Sequence, residues 1–391
     1  MDKKNCGKPQ FSGEWVKLGD AFELRMGKTP SRKNMAYWRN GKYDWVSIAD
    51  LGAFDKYVAA TKEQISDAAI VESRIKPAPA NTVLMSFKLS IGKAAITRSP
   101  VFTNEAIMAL VDRGKYRIDP TFIYHQCKAK DWTAGSNTAV MGKTLNKKTL
   151  SETRIYLPGF EKQIQIAAEL DYLDEQIASA NAVSERLDAL VKSRFIEMFG
   201  NPNSKQCEAF IEDAFFIRDD LRKPLSGKER DAMKTGELYP YYGANGKVDD
   251  INQFLTDCDA LCFAEDCGSY GPGEPTAYVI RGKAWVNNHA HLLVAKCSHF
   301  LEYARTYFTL LDINRFISGT TRAKMTQAQL KKVNIEVPDQ AMLREFDGFV
   351  SNVDKLRFML LVNPSPTYRG RSFCCSTNSG NGGVILEVKD Y

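Results

Sequence analysis

The chain has 391 residues, 44% of them hydrophobic and 26% charged, a balance that suits two ordinary globular domains with connecting helices. The formal net charge of +6 permits a polyanionic partner without requiring one. The nine cysteines form no Cys-x-x-Cys unit, which argues against a zinc ribbon or a disulfide framework and indicates reduced, intracellular thiols.

Residues 1–12 are polar and lack the apolar segment of a signal peptide, so we expect a flexible N-terminus. No apolar run approaches the roughly 20 residues that a membrane span needs. These observations predict a soluble, cytoplasmic protein that does not contact a membrane.

Strand-like apolar runs occur in both halves of the chain, separated by Gly-rich turns. They are Trp45–Ile48, Thr82–Phe87, Ile107–Val111, Leu261–Ala264, Ala277–Ile280 and His291–Ala295. Helical patterns cluster towards the end of each half, so an α+β fold fits better than alternating βαβ units.

An internal repeat relates residues 143–158 to residues 323–338. In each copy a short helical turn precedes a small alternating strand that stops at Pro158 or Pro338. Two weaker blocks repeat in the same order: Val83–Phe87 with Ala260–Ala264, and Thr103–Leu110 with Asn287–Val294. Several blocks in one order predict a duplicated domain.

A heptad stripe follows Pro158, and residues 161–199 contain neither Gly nor Pro. Its apolar positions include Leu170, Leu173, Ile177, Leu187 and Val191. The stripe predicts a central helix over residues 159–200, roughly 60 Å long at 1.5 Å per residue. A helix with such a narrow apolar stripe needs a partner helix.

The candidate partner helix covers residues 339–361, after Pro338, and ends before Asn363-Pro364. Its stripe includes Phe346, Phe349, Val353 and Leu356. Because both stripes follow equivalent ends of the repeat, they favour a spacer of two packed helices, with core packing inside one domain as the alternative. The tail, residues 362–391, is rich in Ser, Gly and Asn, has no periodicity and is predicted to be disordered.

No P-loop, dinucleotide-binding Gly motif or Gly-x-Ser-x-Gly elbow is present. The best enzymatic candidate is a metal-dependent hydrolase built on His289 and His291, which would face the same side of a strand. Possible further ligands are Asp259, Asp266, Cys258, Cys262 and Cys267. Against this, the repeat block replaces the two histidines with Glu105 and Ile107.

Loops that combine cations with amide, hydroxyl or aromatic side chains are candidates for DNA contacts. In the first half these residues are Lys28, Arg32, Lys33, Arg39, Lys88 and Lys143. In the second half they are Arg222, Lys223, Tyr242, Asn245, Lys247, Thr321, Arg322 and Lys324. The alternative for each cluster is a solvated loop, since basic surface loops are common.

The pattern resembles the specificity subunit of type I restriction-modification systems over residues 14–358. The resemblance rests on Trp15–Asp20, Tyr241–Gly246, Trp285–His291 and the two proline-terminated strands that lead into heptad helices. It implies two similar mixed α/β target-recognition domains, residues 13–158 and 201–338, separated by a long coiled-coil helix, with a second, shorter helix near the C-terminus.

The resemblance also implies the function. Each domain would read half of a split sequence in double-stranded DNA, while the helices fix the gap and dock two modification (methyltransferase) subunits. Those subunits would carry S-adenosylmethionine, and restriction subunits would use ATP, so this chain would be non-catalytic and hold neither cofactor nor metal. A coiled-coil scaffold without DNA affinity is a further alternative.

The chain departs from the family in its second helix, which in the family is normally comparable with the first. A helix that stops near Leu361 is expected in a shortened or silenced copy, or in a subunit that relies on dimerisation. A longer heptad helix would restore full length.

Overall fold

A computed structural model describes residues 12–88, 90–132, 145–204, 207–266, 270–317, 323–362, 371–378 and 383–390. The chain forms two compact units, residues 1–177 with 365–391, and residues 178–364. Both units combine sheets with short helices, which confirms the α+β class.

The first unit contains one long and several short elements. They are β1 (Gly13–Lys17), α1 (Leu18–Ala21), β2 (Phe22–Met26), β3 (Tyr43–Val46), α2 (Ile48–Ala53), β4 (Glu63–Ile65), α3 (Asp67–Ser73), β5 (Val83–Ser86), β6 (Ala94–Ile96), β7 (Phe102–Thr103), β8 (Ile107–Asp112), α4 (Pro120–Ala129), α5 (Lys147–Glu152), β9 (Arg154–Pro158) and α6 (Phe160–Phe199).

An antiparallel sheet in the order β2-β8-β5-β6 forms the centre of the first unit. A second sheet has the order β4-β3-β7, and its strands β3 and β7 are parallel. The apolar residues Leu24, Met85 and Met108 line one core cluster with Phe122 of α4. Strand β9 pairs with β1 and leads directly into α6.

The second unit begins within α6 and continues through shorter elements. They are α7 (Ile211–Ala214), β10 (Phe215–Ile217), α8 (Gly227–Ala232), β11 (Tyr239–Gly243), β12 (Gly246–Ile251), β13 (Thr256–Asp257), β14 (Ala260–Ala264), β15 (Ala277–Ile280), β16 (Lys283–Val286), β17 (Ala290–Ala295), α9 (Phe300–Leu310), α10 (Gln327–Leu330) and α11 (Gln340–Val362).

The sheets of the second unit repeat those of the first. Strand order β10-β17-β14-β15 matches β2-β8-β5-β6, and the parallel pair β11 and β16 matches β3 and β7. The short helices α5 and α10 also occupy the predicted repeat block. In the second copy the predicted strand before Pro338 is reduced to an isolated bridge between Asn334 and Phe210.

The two copies align one residue away from the match predicted from the sequence. Asn104 and Asn287 each donate a backbone N–H to the end of the neighbouring parallel strand, at 3.1 and 3.0 Å. Each side-chain oxygen then accepts the N–H two residues on, at 3.0 and 2.8 Å. His289 therefore corresponds to Ala106 and His291 to Met108. The structurally equivalent positions are given by the asparagine turn and not by the similarity of the two sequence blocks.

Helix α6 is continuous over 40 residues, which confirms the predicted central helix. Its first turns belong to the first unit, where Ile166 and Ala167 are buried and Leu170 packs against the core. Its last turns carry Val191, Phe195 and Phe199 into the core of the second unit. The helix is therefore integrated into both units and is not a free-standing rod.

Helix α11 packs along the last turns of α6, so the two stripes meet, but they do so inside the core of the second unit, which is the alternative of core packing within one domain. The Phe346 ring lies 5.6 and 5.5 Å from the rings of Phe195 and Phe199. Two ion pairs flank this seam, Arg194 with Glu345 and Arg357 with Asp188, each at 2.6 Å.

Several predicted seam residues lie in this packing: Leu187, Val191, Phe346, Phe349 and Val353. Ile177 and Leu356 do not, since they are 59% and 53% exposed. The buried face of α11 runs through Leu343, Phe346, Val350 and Val353, so that Leu356 falls beside it. Leu170 and Leu173 lie in the first unit, where Leu170 packs against the core.

Two local predictions also need correction. Ile48 begins helix α2 instead of extending a strand, because Ser47 forms a capping box with Asp50. In the tail, Arg371–Asn378 and Gly383–Asp390 pair as an antiparallel hairpin, β18 and β19, where disorder was predicted. The second of these segments is rich in β-branched residues, which favour strands.

The remaining domain predictions concern the ends of the chain and its membrane contacts. The predicted flexible N-terminus lies, except for Ser12, outside the described residues. Within the described part of the chain, no helix is both long enough and apolar enough to span a bilayer.

Candidate nucleic-acid interface

In both units the carboxyl ends of the parallel strands meet the loop that follows the edge strand of the four-stranded sheet, which is β2 in the first unit and β10 in the second. Lys28 donates its backbone N–H to Thr103 at 2.8 Å, and Lys223 donates to Val286 at 3.0 Å. The two lysines are therefore equivalent and lie beside the asparagine turns. We call these regions strand-end surface 1 and strand-end surface 2. The first contains Lys28, Thr29, Arg32, Lys88 and Glu105, and the second contains Lys223, Asn245, Asn288, His289 and Lys324.

A tryptophan supports each of these loops. The indole N–H of Trp45 donates to the carbonyl of Lys28 at 3.1 Å, and that of Trp285 donates to the carbonyl of Lys223 at 2.7 Å. Trp45 lies on β3 but Trp285 lies on β16, so the bond is retained although the tryptophan has changed strand. Both loops thus present an exposed lysine from a backbone that is held in place.

Strand-end surface 1 also contains Arg32, whose guanidinium group packs against an indole ring. The guanidinium of Arg32 lies 3.8 Å from the centre of the Trp38 ring and forms a bidentate ion pair with Glu63. The hydrogen bond from Arg32 lowers the pKa of the Glu63 carboxyl. Lys33 and Arg39, on the same loop, are exposed. Lys88 is half-buried, with its ammonium 5.3 Å from the Phe87 ring.

Strand-end surface 2 presents a hairpin tip between β11 and β12. Asn245 is exposed in the tight turn, where Gly246 adopts a φ of 113° that disfavours a side chain. Tyr278 supports the turn by donating its hydroxyl to the Gly243 carbonyl, and the half-buried ring of Tyr242 stacks on Tyr278 at 5.6 Å. In the first unit the equivalent strand leads instead into α2, so the two surfaces carry different elements.

Not every predicted cation is available to a ligand. Lys28 donates its ammonium to the Ser73 carbonyl at 2.7 Å, and Lys247 pairs with Asp250 at 2.8 Å, yet both remain exposed. Lys324 is 44% exposed and pairs with Glu265 at 3.3 Å. Lys143, Thr321 and Arg322 lie outside the described residues.

Arg222 belongs to a buried ionic cluster, which we define as Asp219, Arg222, Glu265 and His291. Its side chain is 14% exposed and donates to Asp219 at 2.9 Å and to Glu265 at 3.0 Å. It also donates to the backbone carbonyl of Ala290 at 3.1 Å. Arg222 therefore holds three segments of the second unit together behind strand-end surface 2.

His291 is the centre of this cluster and is 1% exposed. Its Nδ1 lies 2.7 Å from the Asp219 carboxylate, and its Nε2 lies 2.8 Å from the Met325 carbonyl. The carboxylate and the carbonyl are both acceptor groups, and each faces one ring nitrogen. Burial favours the neutral form of Asp219, but the hydrogen bond and charge of His291 outweigh it and lower the pKa of this carboxyl.

The first unit has apolar residues at the equivalent positions. Met26 pairs across the strands with Met108, where the second unit places Asp219 against His291. Phe87 takes the place of Glu265, since each donates its N–H to the equivalent asparagine-turn residue. Sequence reasoning missed Asp219 and Glu265, because no local pattern connects residues 72 positions apart.

In the part of the chain that the structure describes, His289 and His291 are not grouped with enough further ligands to form the metal site that the sequence suggested. His289 is 48% exposed and contacts both Asp266 oxygens at 3.0 Å, whereas both nitrogens of His291 already have protein partners. Among the described residues, no group of three or more His, Cys, Asp or Glu side chains is placed to hold a metal ion. Cys267 is outside that set.

The chain thus contains two duplicated domains, each with its own strand-end surface, and a long helix between them in sequence. The family described as the type I restriction modification DNA specificity domain matches residues 13–189 and 220–352. The chain belongs to this family, and it is a specificity subunit of a type I restriction-modification system.

Known relatives agree over most of the chain. The type I restriction enzyme MjaIX specificity subunit of Methanocaldococcus jannaschii is 23% identical over 387 residues, covering 88% of each protein. The EcoprrI specificity subunit of Escherichia coli is 21% identical over 369 residues, covering 88% of this chain and 90% of the relative. The solved S subunit from M. genitalium shares the fold, with a TM-score of 0.51 at 15% identity over 93% of both chains.

Proposed function

We propose that this subunit reads a bipartite target in duplex DNA, one half-site with each strand-end surface. The observation that carries the proposal is the repeated placement of Lys28 and Lys223, each exposed on a loop that a tryptophan anchors. Lysines on a fixed backbone neutralise phosphates without a large ordering cost on binding. Equivalent surfaces on duplicated domains suit a target with two parts.

The side chains divide into positioning and base-reading groups. Lys28, Lys33, Arg39 and Lys223 are exposed cations suited to phosphates. Arg32 and Asn245 have planar donor groups that match base edges in the major groove. A two-stranded ribbon can enter that groove, which supports a base-reading role for the β11–β12 tip.

Helix α6 would act as the spacer between the half-sites. Its 40 residues correspond to about 60 Å, longer than the roughly 34 Å between half-sites one helical turn apart. The helices would also dock two modification subunits, which bind S-adenosylmethionine, and restriction subunits that use ATP would complete the assembly. This chain contributes recognition and has no catalytic role in the proposal.

Methylome sequencing of the source cell, with and without this gene, tests the proposal. We expect a split motif with methylated adenine in both halves, which disappears on deletion and returns with the wild-type gene. Complementation with a Lys28→Ala, Lys223→Ala double variant should restore less methylation. A methylome unchanged by deletion would refute the function, and purified complex with no salt-dependent affinity for duplex would favour the scaffold alternative.

A further inference from the structure

The first turns of α6 are attached to the first unit along one polar face. Gln163 is 1% exposed, and its amide donates to the carbonyls of Arg117 at 3.0 Å and Pro158 at 2.9 Å. Its own carbonyl accepts the N–H of Asp119 at 3.0 Å. These bonds fix the start of the helix, and in the next turns Ile166 and Ala167 are buried in the core of the first unit.

Further along, Asp174 pairs with Lys128 of α4 at 3.2 Å, and Asp171, two turns after Gln163, makes two more polar contacts with the first unit. One carboxylate oxygen lies 2.8 Å from Nε2 of His125 on α4, and the other accepts from Lys56, in the segment between α2 and β4. The His125 side chain is 6% exposed, and burial lowers its pKa, so the neutral ring donates to Asp171. Asp171 thereby joins α6 to two separate elements of the first unit.

The other end of α6 is held by different forces. The Phe195 and Phe199 rings lie 5.2 and 4.8 Å from that of Tyr303, in a core that excludes water. Such apolar packing does not depend on any single charge. In the second unit a histidine–aspartate contact holds α11 instead, with His299 and Asp347 2.8 Å apart.

We propose that Asp171 is a positioning residue that sets the direction in which α6 leaves the first unit, and so selects the gap between half-sites. The inference rests on the proposed function, and it assigns Asp171 no contact with DNA. From residue 171 to residue 199 the helix rises about 42 Å, so a tilt of about 5° moves its end by about 4 Å. That displacement is close to the rise of one base pair, roughly 3.4 Å.

The test compares Asp171→Asn with wild type in the complex with modification subunits. The probes are duplexes carrying the motif found by methylome sequencing, with the gap native or one base pair longer or shorter. We expect the preference for the native gap to fall by about fivefold or more, the size of one mismatched base pair. Affinity for a duplex with one half-site should stay unchanged, and Asp171→Glu should recover part of the gap preference.

Asp347→Asn is the matched control, because it removes the same kind of histidine–aspartate contact from α11. The packing of Phe195 and Phe199 on α6 against Tyr303 stays intact. It should leave the gap preference at the wild-type value. An Asp171→Asn complex with the wild-type gap ratio would overturn the inference, and so would an equal loss of affinity on all three gaps and on the half-site.

A second measurement is independent of DNA. Spin labels are attached to genetically encoded non-natural amino acids at the exposed positions Glu14 and Lys332. Pulsed electron paramagnetic resonance then measures the distribution of distances between the two labels. Asp171→Asn should broaden the distance distribution relative to wild type and to Asp347→Asn. An unchanged width would refute the positioning role of Asp171. If no motif depends on the gene, the proposed function fails, while the width still decides the role of Asp171.

Discussion

The buried ionic cluster offers a quantitative test, since the first unit supplies its apolar counterpart. We predict that His291→Met strongly destabilises the second unit, whereas Asp219→Met combined with His291→Met restores part of the loss. The paired substitution copies Met26 and Met108 of the first unit. Only the single variant leaves a carboxylate that is 11% exposed without its histidine partner.

The expected loss of stability in His291→Met follows from the partners that Asp219 retains in that variant. Removing one partner of a buried ion pair costs roughly 3–5 kcal/mol. Asp219 retains Arg222 at 2.9 Å, Gln327 at 3.0 Å and the Leu292 N–H at 3.2 Å, so we expect the lower end of that range. At about 2–4 °C per kcal/mol, the melting temperature of the second unit falls by about 6–12 °C. The double variant should lose less than His291→Met, but it should not return to the wild-type value, because Arg222 and the Leu292 N–H lose the Asp219 acceptor.

Hydrogen exchange read on peptides from β14 and β17 is the suitable assay, because it reports the second unit separately from the first. If the two substitutions acted independently, their losses of stability would add, and the double variant would be less stable than His291→Met alone. Our reasoning predicts the opposite order, with the double variant more stable than His291→Met. A double variant as unstable as the single one would show that the cluster does not act as a pair, and would refute this account.

Further predictions concern pH, DNA and packing. The pKa of Asp219 is lowered by folding, so its contribution is present above the unfolded pKa of about 4 and is lost as pH falls through the folded pKa; acid titration should therefore destabilise wild type more steeply than the Asp219→Met, His291→Met variant. Lys28→Ala and Lys223→Ala should each reduce the salt dependence of binding, log Kd against log salt, by about 0.9, and equal slopes in filter binding would contradict phosphate contacts. Asn245→Ala should weaken selectivity at one base of one half-site by about 1–3 kcal/mol, measured by binding to single-substitution duplexes, and a uniform loss at all bases would argue for a phosphate contact instead. Phe195→Ala should cost about 3–5 kcal/mol in urea unfolding, because its ring is fully buried, and a loss below about 1 kcal/mol would mean that the seam tolerates the cavity.

Part of this architecture can be predicted from short stretches of the sequence. The duplication, the helix over residues 160–199 and the α11 stripe follow from periodicity and from proline or glycine stops, which act over a few neighbouring residues. The exposed lysines 28 and 223 were also among the predicted cations. The match between copies was off by one residue, because letter similarity does not detect the asparagine turns that set the strand register.

Tertiary structure decided which basic residues face solvent. Arg222 and Lys223 are adjacent and equally basic, yet one is bound within the ionic cluster and the other is exposed. The partners that hold Arg222 are Asp219, Glu265 and the carbonyl of Ala290. The contacts of Asp171 on α6 likewise join it to His125 and to Lys56, which is 115 residues away. A side chain's charge can be read from the sequence alone, but its availability depends on which distant segments fold against it, and only the tertiary structure brings those together.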